Sequence, residues 1–225
     1  MNIIYTFKFT DEQVVTLKHT DQEAPPPAGQ NPPSWTRLEH HQCSICPLKS
    51  AEHERCPAAV AMLPVVEAFK NEDAYQQVSV QVDTDRRSYS KDTSLEEATR
   101  SLLGLKMATS ACPILSELRP MAAHHLPFAS TDEFILRSAS HYLLHQYFNE
   151  RNGLEPDWEM KGLVERNQRL QLVNQALWQR IHAVCQGDSN LKALLNCFSM
   201  ASGVSFSLES QLRKLERSMS GESSG

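Results

Sequence analysis

The N-terminal segment alternates between apolar and polar residues, and this pattern constrains the fold more than any other feature of the sequence. In NIIYTFKF, the side chains of Ile3, Tyr5, Phe7 and Phe9 fall on one face of an extended strand. A turn at TDEQ and a return through VVTLKH predict a β-hairpin. The aromatic face of this hairpin must be covered by another part of the chain.

A second alternating segment, YQQVSVQVDT, lies at residues 75–84. Its Val78, Val80 and Val82 share one face, and Ser79 begins the polar face. We predict a half-buried strand there, with the following RRSYS as a candidate neighbour.

The rest of the chain has mainly helical patterns. Pro57 suits the first position of a helix that Pro64 should kink or break. Ser94, followed by Glu97, is a capping-box pattern at the start of a second helix. Four more helices are predicted, over residues 132–153, 159–186, 189–203 and 205–219. Gly187 is expected to stop the second of these four.

The expected fold class is α+β, with a small antiparallel sheet (the N-terminal hairpin plus strand 75–84) packed with a C-terminal helical bundle. Residues 23–34, EAPPPAGQNPPS, predict a stiff proline connector. We expect residues 1–92 to hold the sheet, the connector and a cysteine-rich turn. Residues 93–219 would form the bundle within one continuous globular unit, and residues 220–225 a disordered tail.

Charge and hydrophobicity argue against two classes of partner. The net charge is −5 with histidines neutral, and no basic run exceeds Arg86–Arg87, so nucleic-acid binding is not expected. No apolar run approaches the roughly 18–20 residues of a membrane span. The opening MNIIYTFKFTDEQ lacks the basic region and long apolar core of an export signal. We therefore expect a cytoplasmic protein with reduced thiols.

Three of the six cysteines lie within the fourteen residues CSICPLKSAEHERC. The spacing Cys43-x2-Cys46 suits two ligands of a tetrahedral metal ion, and Cys56 follows nine residues later. Cys112, in SACPIL, would be the fourth ligand if the fold brings it back, and His53 is its substitute. A zinc ion held by four cysteines has no open coordination position, so its role would be structural.

Other interpretations of the cysteines remain open. They could be reduced thiols without a ligand, or CSIC could be a redox dithiol, although the strand and helix that usually flank one are missing. An iron–sulfur cluster is the third alternative, because Cys46, Cys56 and Cys112 are each followed by proline. Backbone N–H groups at a helix start are expected to lower the pKa of Cys112. Cys185 and Cys197 are expected to be core residues.

The segment CPILSELRPMAAHHLPFAS contains two further candidates. Arg119 could clamp an anion and His125 could act as a base or a ligand. The alternative is that Arg119 caps a helix and His125 hydrogen-bonds backbone in a buried turn. His141 and His145 share a helix face but lack the glutamate of a zinc-protease motif. No motif of a familiar enzyme is present.

The motifs WTRLEHHQCSICPL, ERCPAAV, GLKMATSACPILSELRPMAAHHLPFAS and YLLHQYF together resemble a bacterial family catalogued only as a domain of unknown function. The resemblance covers most of the chain and implies no activity. The positions that match the family's motifs are Cys43, Cys46, Cys56, Cys112, Pro113, Arg119, Pro120, His125 and Pro127. The positions that do not match are His40, His41, His124, His141 and His145. The resemblance therefore favours the four-cysteine site.

Two hypotheses of function follow. In the first, the chain is a regulatory or interaction module with a structural zinc and an unidentified protein partner. In the second, it is an iron–sulfur redox protein, or an enzyme that uses His125 and Arg119 near the cysteines. Apolar stripes at residues 163–184 and 208–219 are compatible with a homodimer and equally with an internal core.

Overall fold

The computed structural model describes residues 1–20, 32–182, 184–188, 191–193, 208–217 and 220. Several predicted features lie wholly or mostly outside the described residues: the proline connector at 23–34, the helix at 189–203, Cys197 and the tail at 220–225.

An antiparallel sheet forms the centre of the N-terminal half. Its strands, in spatial order β2-β1-β3-β4, are β1 (Asn2–Phe9), β2 (Val14–Thr20), β3 (Gln77–Thr84) and β4 (Ser88–Ser94). Tyr5 lies opposite Val82 and Phe7 opposite Val80, so the apolar residues of β1 and β3 share one face. The predicted α+β class is confirmed.

Two helices cover this face, α1 (Pro57–Phe69) and α2 (Leu95–Thr109). The ring of Phe69 meets the ring of Phe7 edge-on, with 4.8 Å between their centroids. The Tyr5 hydroxyl is 3.0 Å from the Ser101 hydroxyl of α2. Pro64 lies inside α1, so the helix does not break there.

The start of α2 forms half of the predicted capping box. The Ser94 hydroxyl accepts a hydrogen bond from the Glu97 amide, at 3.3 Å. The Glu97 carboxylate does not return to Ser94 but accepts hydrogen bonds from Lys91 and Thr93 of β4. The first turn of α2 is therefore fastened to the adjacent strand.

The remaining elements are short 3-10 helices at Ser34–Thr36 and Leu115–Leu118, and the helices α3 (Arg119–Ala122), α4 (Thr131–Arg151) and α5 (Lys161–His182). A complete capping box between Ser130 and Glu133 begins α4. Helix α5 ends at His182, before Gly187, the residue predicted to stop it. Residues 208–217 are also helical.

The chain divides into two compact units. The described residues of the first unit fall within Met1–Phe128 and Leu172–Cys197, and those of the second within Ala129–Gln171 and Phe198–Gly225. In the second unit, leucines from the segment 208–217 pack on a core of four buried residues: Ile135, Ala139, Met160 and Leu163. The 208–215 part of the predicted apolar stripe thus contacts an internal core. Within the described ranges, no helix is long and apolar enough to cross a membrane.

Gly187 lies against the backbone that follows α1. Its amide donates to the Lys70 carbonyl at 2.8 Å, and a Cβ added to it would lie 2.2 Å from the Glu72 carbonyl oxygen. Such a contact cannot be relieved by rotating a side chain. The position therefore requires glycine for close approach of two backbones.

We expect Gly187→Ala to lower the free energy of unfolding by about 1–3 kcal/mol, because overpacked backbone must shift. Gly104→Ala is the matched control, since a Cβ at that position in α2 meets nothing within 4 Å. It should raise the free energy of unfolding by about 0.5–1 kcal/mol. Urea unfolding followed by circular dichroism measures both, and equal effects would contradict the close approach.

Candidate metal centre

A pair of short extended segments closes the base of the cysteine-rich loop. Leu38 donates its amide to the Glu54 carbonyl at 2.9 Å, and Cys56 donates its amide to the Thr36 carbonyl at 2.8 Å. Arg37 and Arg55 form the isolated antiparallel bridge between them. Cys56 is thereby held at the base of the loop, where it is the N-cap residue of α1.

Cys43 and Cys46 share a tight turn within this loop. The Cys46 amide donates to the Cys43 carbonyl at 3.0 Å, and the two thiols are hydrogen-bonded to each other. Both residues are half-buried. Two ligands from one tight turn are typical of tetrahedral zinc sites, in which the Zn–S bonds are about 2.3 Å long.

Cys112 lies in the irregular segment after α2. It is only 7% exposed, and its thiol accepts hydrogen bonds from the backbone N–H groups of Leu115 and Ile114. Burial raises the pKa of this thiol, and the two N–H groups oppose the rise without overcoming it. The prediction of a lowered pKa for Cys112 is wrong, because it counted the local N–H groups and not the burial.

The four thiols of the predicted set lie close enough together to affect the pKa values of Cys43 and Cys112. Burial, followed by the thiols of the other three cysteines, raises the pKa of Cys43 to about 12. The thiols of Cys56 and Cys46 also act on Cys112. The sequence left open whether the fourth group is Cys112 or His53. The thiols of Cys46 and Cys56 act on Cys112, whereas the side chain of His53 is exposed.

The thiols lie near one another, but their sulfur atoms are not arranged as the ligands of one metal ion. Over the described part of the chain, no group of three or more histidine, cysteine, aspartate or glutamate side chains has a geometry that would hold a metal ion as it stands. His141 and His145, the helical pair considered in the sequence, are therefore not part of such a group. Metal binding at the cysteines therefore requires the thiol side chains to turn toward the ion.

One residue beside the thiols was missed by the sequence reasoning. Arg180 of α5 is 2% exposed and donates hydrogen bonds to three backbone carbonyls of the segment at the loop base: Trp35, Arg37 and Leu38. Burial lowers the pKa of its guanidinium, and the thiols of Cys56, Cys43 and Cys46 oppose that shift. The available signal was its position, because Arg180 falls on the apolar stripe that contains Val173 and Leu177.

Arg119 and His125 make contacts within the fold. The guanidinium of Arg119 donates to the carbonyls of Thr109 and Ser110, at 3.4 and 3.1 Å, where α2 ends. The His125 Nε2 is 2.6 Å from the Tyr5 hydroxyl. Both side chains therefore contact other parts of the fold.

The Tyr5 hydroxyl is the centre of a buried polar contact beneath the sheet. It meets Ser101 and His125, and Ser101 also accepts a hydrogen bond from the Phe128 amide at 3.2 Å. Burial raises the pKa of Tyr5, and its hydrogen bond to Ser101 opposes the rise. The segment that contains His125 is thus attached to the central strand by hydrogen bonds.

The sequence matches a known protein family over nearly its whole length. A family model described as Domain of unknown function (DUF6901) matches residues 3–220. The chain belongs to this family, as its motifs implied. No curated protein and no solved structure matches it.

We expect Tyr5→Phe to lower the free energy of unfolding by about 1–3 kcal/mol, since it removes the hydroxyl that Ser101 and His125 contact. Tyr147→Phe is the control, because Tyr147 is 43% exposed and its loss of a hydroxyl should change stability by less than about 0.5 kcal/mol. Thermal unfolding of the two variants beside the wild type makes the comparison. A Tyr5 variant as stable as the Tyr147 variant would show that the buried contact contributes nothing.

Proposed function

We propose that the chain is a metal-binding protein whose centre is a structural zinc ion held by Cys43, Cys46, Cys56 and Cys112. The observation that carries the proposal is that thiols from three separate parts of the chain come together: those of Cys46, Cys56 and Cys112 act on Cys43, and those of Cys56 and Cys46 act on Cys112. Clustered thiols that are not disulfide-bonded are typical metal ligands in a reducing compartment. A cytoplasmic location is part of the proposal.

The consequence of such a centre would be structural. It would join the loop after Thr36, the N-cap residue of α1 and the segment that follows α2. Four protein thiolates would complete the tetrahedral coordination, so no position would remain for a substrate. The chain would then act through its surface, as a regulatory or interaction module for a protein partner or for a second copy of itself.

An iron–sulfur cluster is the second candidate for the same four cysteines. It is favoured by the hydrogen bonds that the Cys112 sulfur accepts from Ile114 and Leu115, because N–H groups directed at sulfur tune the potential of such clusters. Cys46 and Cys56, like Cys112, are followed by proline. An enzyme built on His125 and Arg119 has less support, since both side chains contact other parts of the fold.

Elemental analysis of protein purified without oxygen tests the proposal directly. We expect one zinc per chain, and we expect Cys112→Ser to weaken zinc binding by more than the roughly 10–100-fold cost of losing an outer-shell partner. Removing zinc from the wild type with a chelator should lower its melting temperature.

Cys185→Ser is the matched control, because Cys185 is a half-buried cysteine outside the predicted set. It should retain zinc with unchanged affinity. A brown protein that contains iron and sulfide would show that the cysteines hold an iron–sulfur cluster instead of zinc. Absence of any bound metal, or equal loss in both variants, would refute the four-cysteine centre.

A further inference from the structure

The buried guanidinium of Arg180 has an unusual set of neighbours. Its three hydrogen-bond acceptors are backbone carbonyls, which are dipoles and carry no net charge. Among the described residues, no carboxylate lies within ion-pair distance of it. A buried cation without an opposite charge destabilises a fold strongly.

The titratable groups near Arg180 show which of its neighbours could supply a compensating negative charge. His40 lies close enough to interact with it, but burial, His41 and Arg180 all lower the pKa of His40 and so favour neutral imidazole. An imidazole can supply no negative charge. The thiols of Cys56, Cys43 and Cys46 also interact electrostatically with Arg180.

We propose that Arg180 is the buried counter-ion of the metal centre, an inference that rests on the proposed function. A divalent ion with four thiolates has a net charge of −2, from +2 and four times −1. A centre of this charge needs a cation nearby when it is partly removed from water. Arg180 supplies one and would thereby favour four thiolates over a set that includes neutral imidazole.

The same placement connects the centre to α5. Arg180 reaches from this helix to the carbonyls of Trp35, Arg37 and Leu38, and Leu38 and Thr36 pair with the strand segment that ends at Cys56. A guanidinium held at three points cannot move away from the thiols without losing these bonds. The charge is therefore fixed in position before a metal arrives.

A purely structural role, in which Arg180 only ties these carbonyls together, predicts a different response to substitution. Arg180→Gln keeps a hydrogen-bond donor and loses the charge. Arg180→Lys keeps the charge and loses the planar group that bonds three carbonyls. A counter-ion should tolerate lysine better than glutamine, whereas a backbone tie should not.

Zinc loss from the loaded proteins to a chromophoric chelator measures the difference, and it does not depend on the stability of the metal-free variants. We expect Arg180→Gln to lose zinc about 10–100-fold faster than the wild type, and Arg180→Lys to lie between them. Arg55→Gln is the matched control, because Arg55 also donates to carbonyls of this region, those of Pro32 and Pro33. It should leave the rate nearly unchanged.

A second measurement isolates charge from packing. Cys43→His would replace one thiolate with a neutral ligand and reduce the charge of the centre from −2 to −1. The factor by which Arg180→Gln accelerates zinc loss should be smaller in this background than in the wild type.

The outcomes separate the two proposals. Zinc bound by the wild type, with lysine and glutamine at position 180 equally harmful or equally harmless, would overturn the counter-ion alone. An unchanged factor in the Cys43→His background would do the same. No zinc in the wild-type protein would overturn both the proposed function and this inference.

Discussion

The aromatic face of the sheet is the constraint on which the rest of the first unit depends. Tyr5 and Phe7 are fully buried, and they are buried only because α1 and α2 lie across them. Covering this face with two adjacent helices also determines where their ends lie. Cys56 caps the start of α1 and Cys112 follows the end of α2, and the thiol of Cys56 acts on that of Cys112. The proximity of these two cysteines is thus a consequence of how the sheet is covered.

Burial has opposite consequences for the thiols and for a metal that binds them. It raises the pKa values of Cys43 and Cys112, so these groups are neutral thiols near pH 7. A zinc ion can displace those protons, because its charge stabilises the thiolates directly. The buried guanidinium of Arg180 favours the same charged state. The positive charge of Arg180 is therefore poorly compensated by neutral thiols, and it would be better compensated by thiolates bound to zinc.

Local patterns in the sequence were sufficient to predict most of the elements. Alternation at Ile3 to Phe9 and at Val78 to Val82 predicted the strands, because period two is specific for a sheet with one buried face. The Cys43-x2-Cys46 spacing likewise predicted a close pair of thiols. These signals lie within about ten residues, so no knowledge of the tertiary fold is needed to read them.

The features that could not be predicted depend on contacts between distant residues. Tyr5 meets His125 across 120 positions, and Arg180 reaches Leu38 across 142. A single arginine on an apolar stripe does not reveal which carbonyls it will bond. The pKa of Cys112 was predicted in the wrong direction for the same reason, since burial is a property of the folded chain.

The segment between α2 and α4 contains three of the candidate residues, Cys112, Arg119 and His125. It contains Cys112 in irregular backbone, and such backbone can present a ligand precisely only if other contacts fix it. Arg119 ties it to the end of α2, while His125 ties it to the central strand through Tyr5. The two residues that first suggested catalysis therefore have a physical task that needs no substrate. They hold in place the part of the chain that supplies the most buried thiol of the cluster.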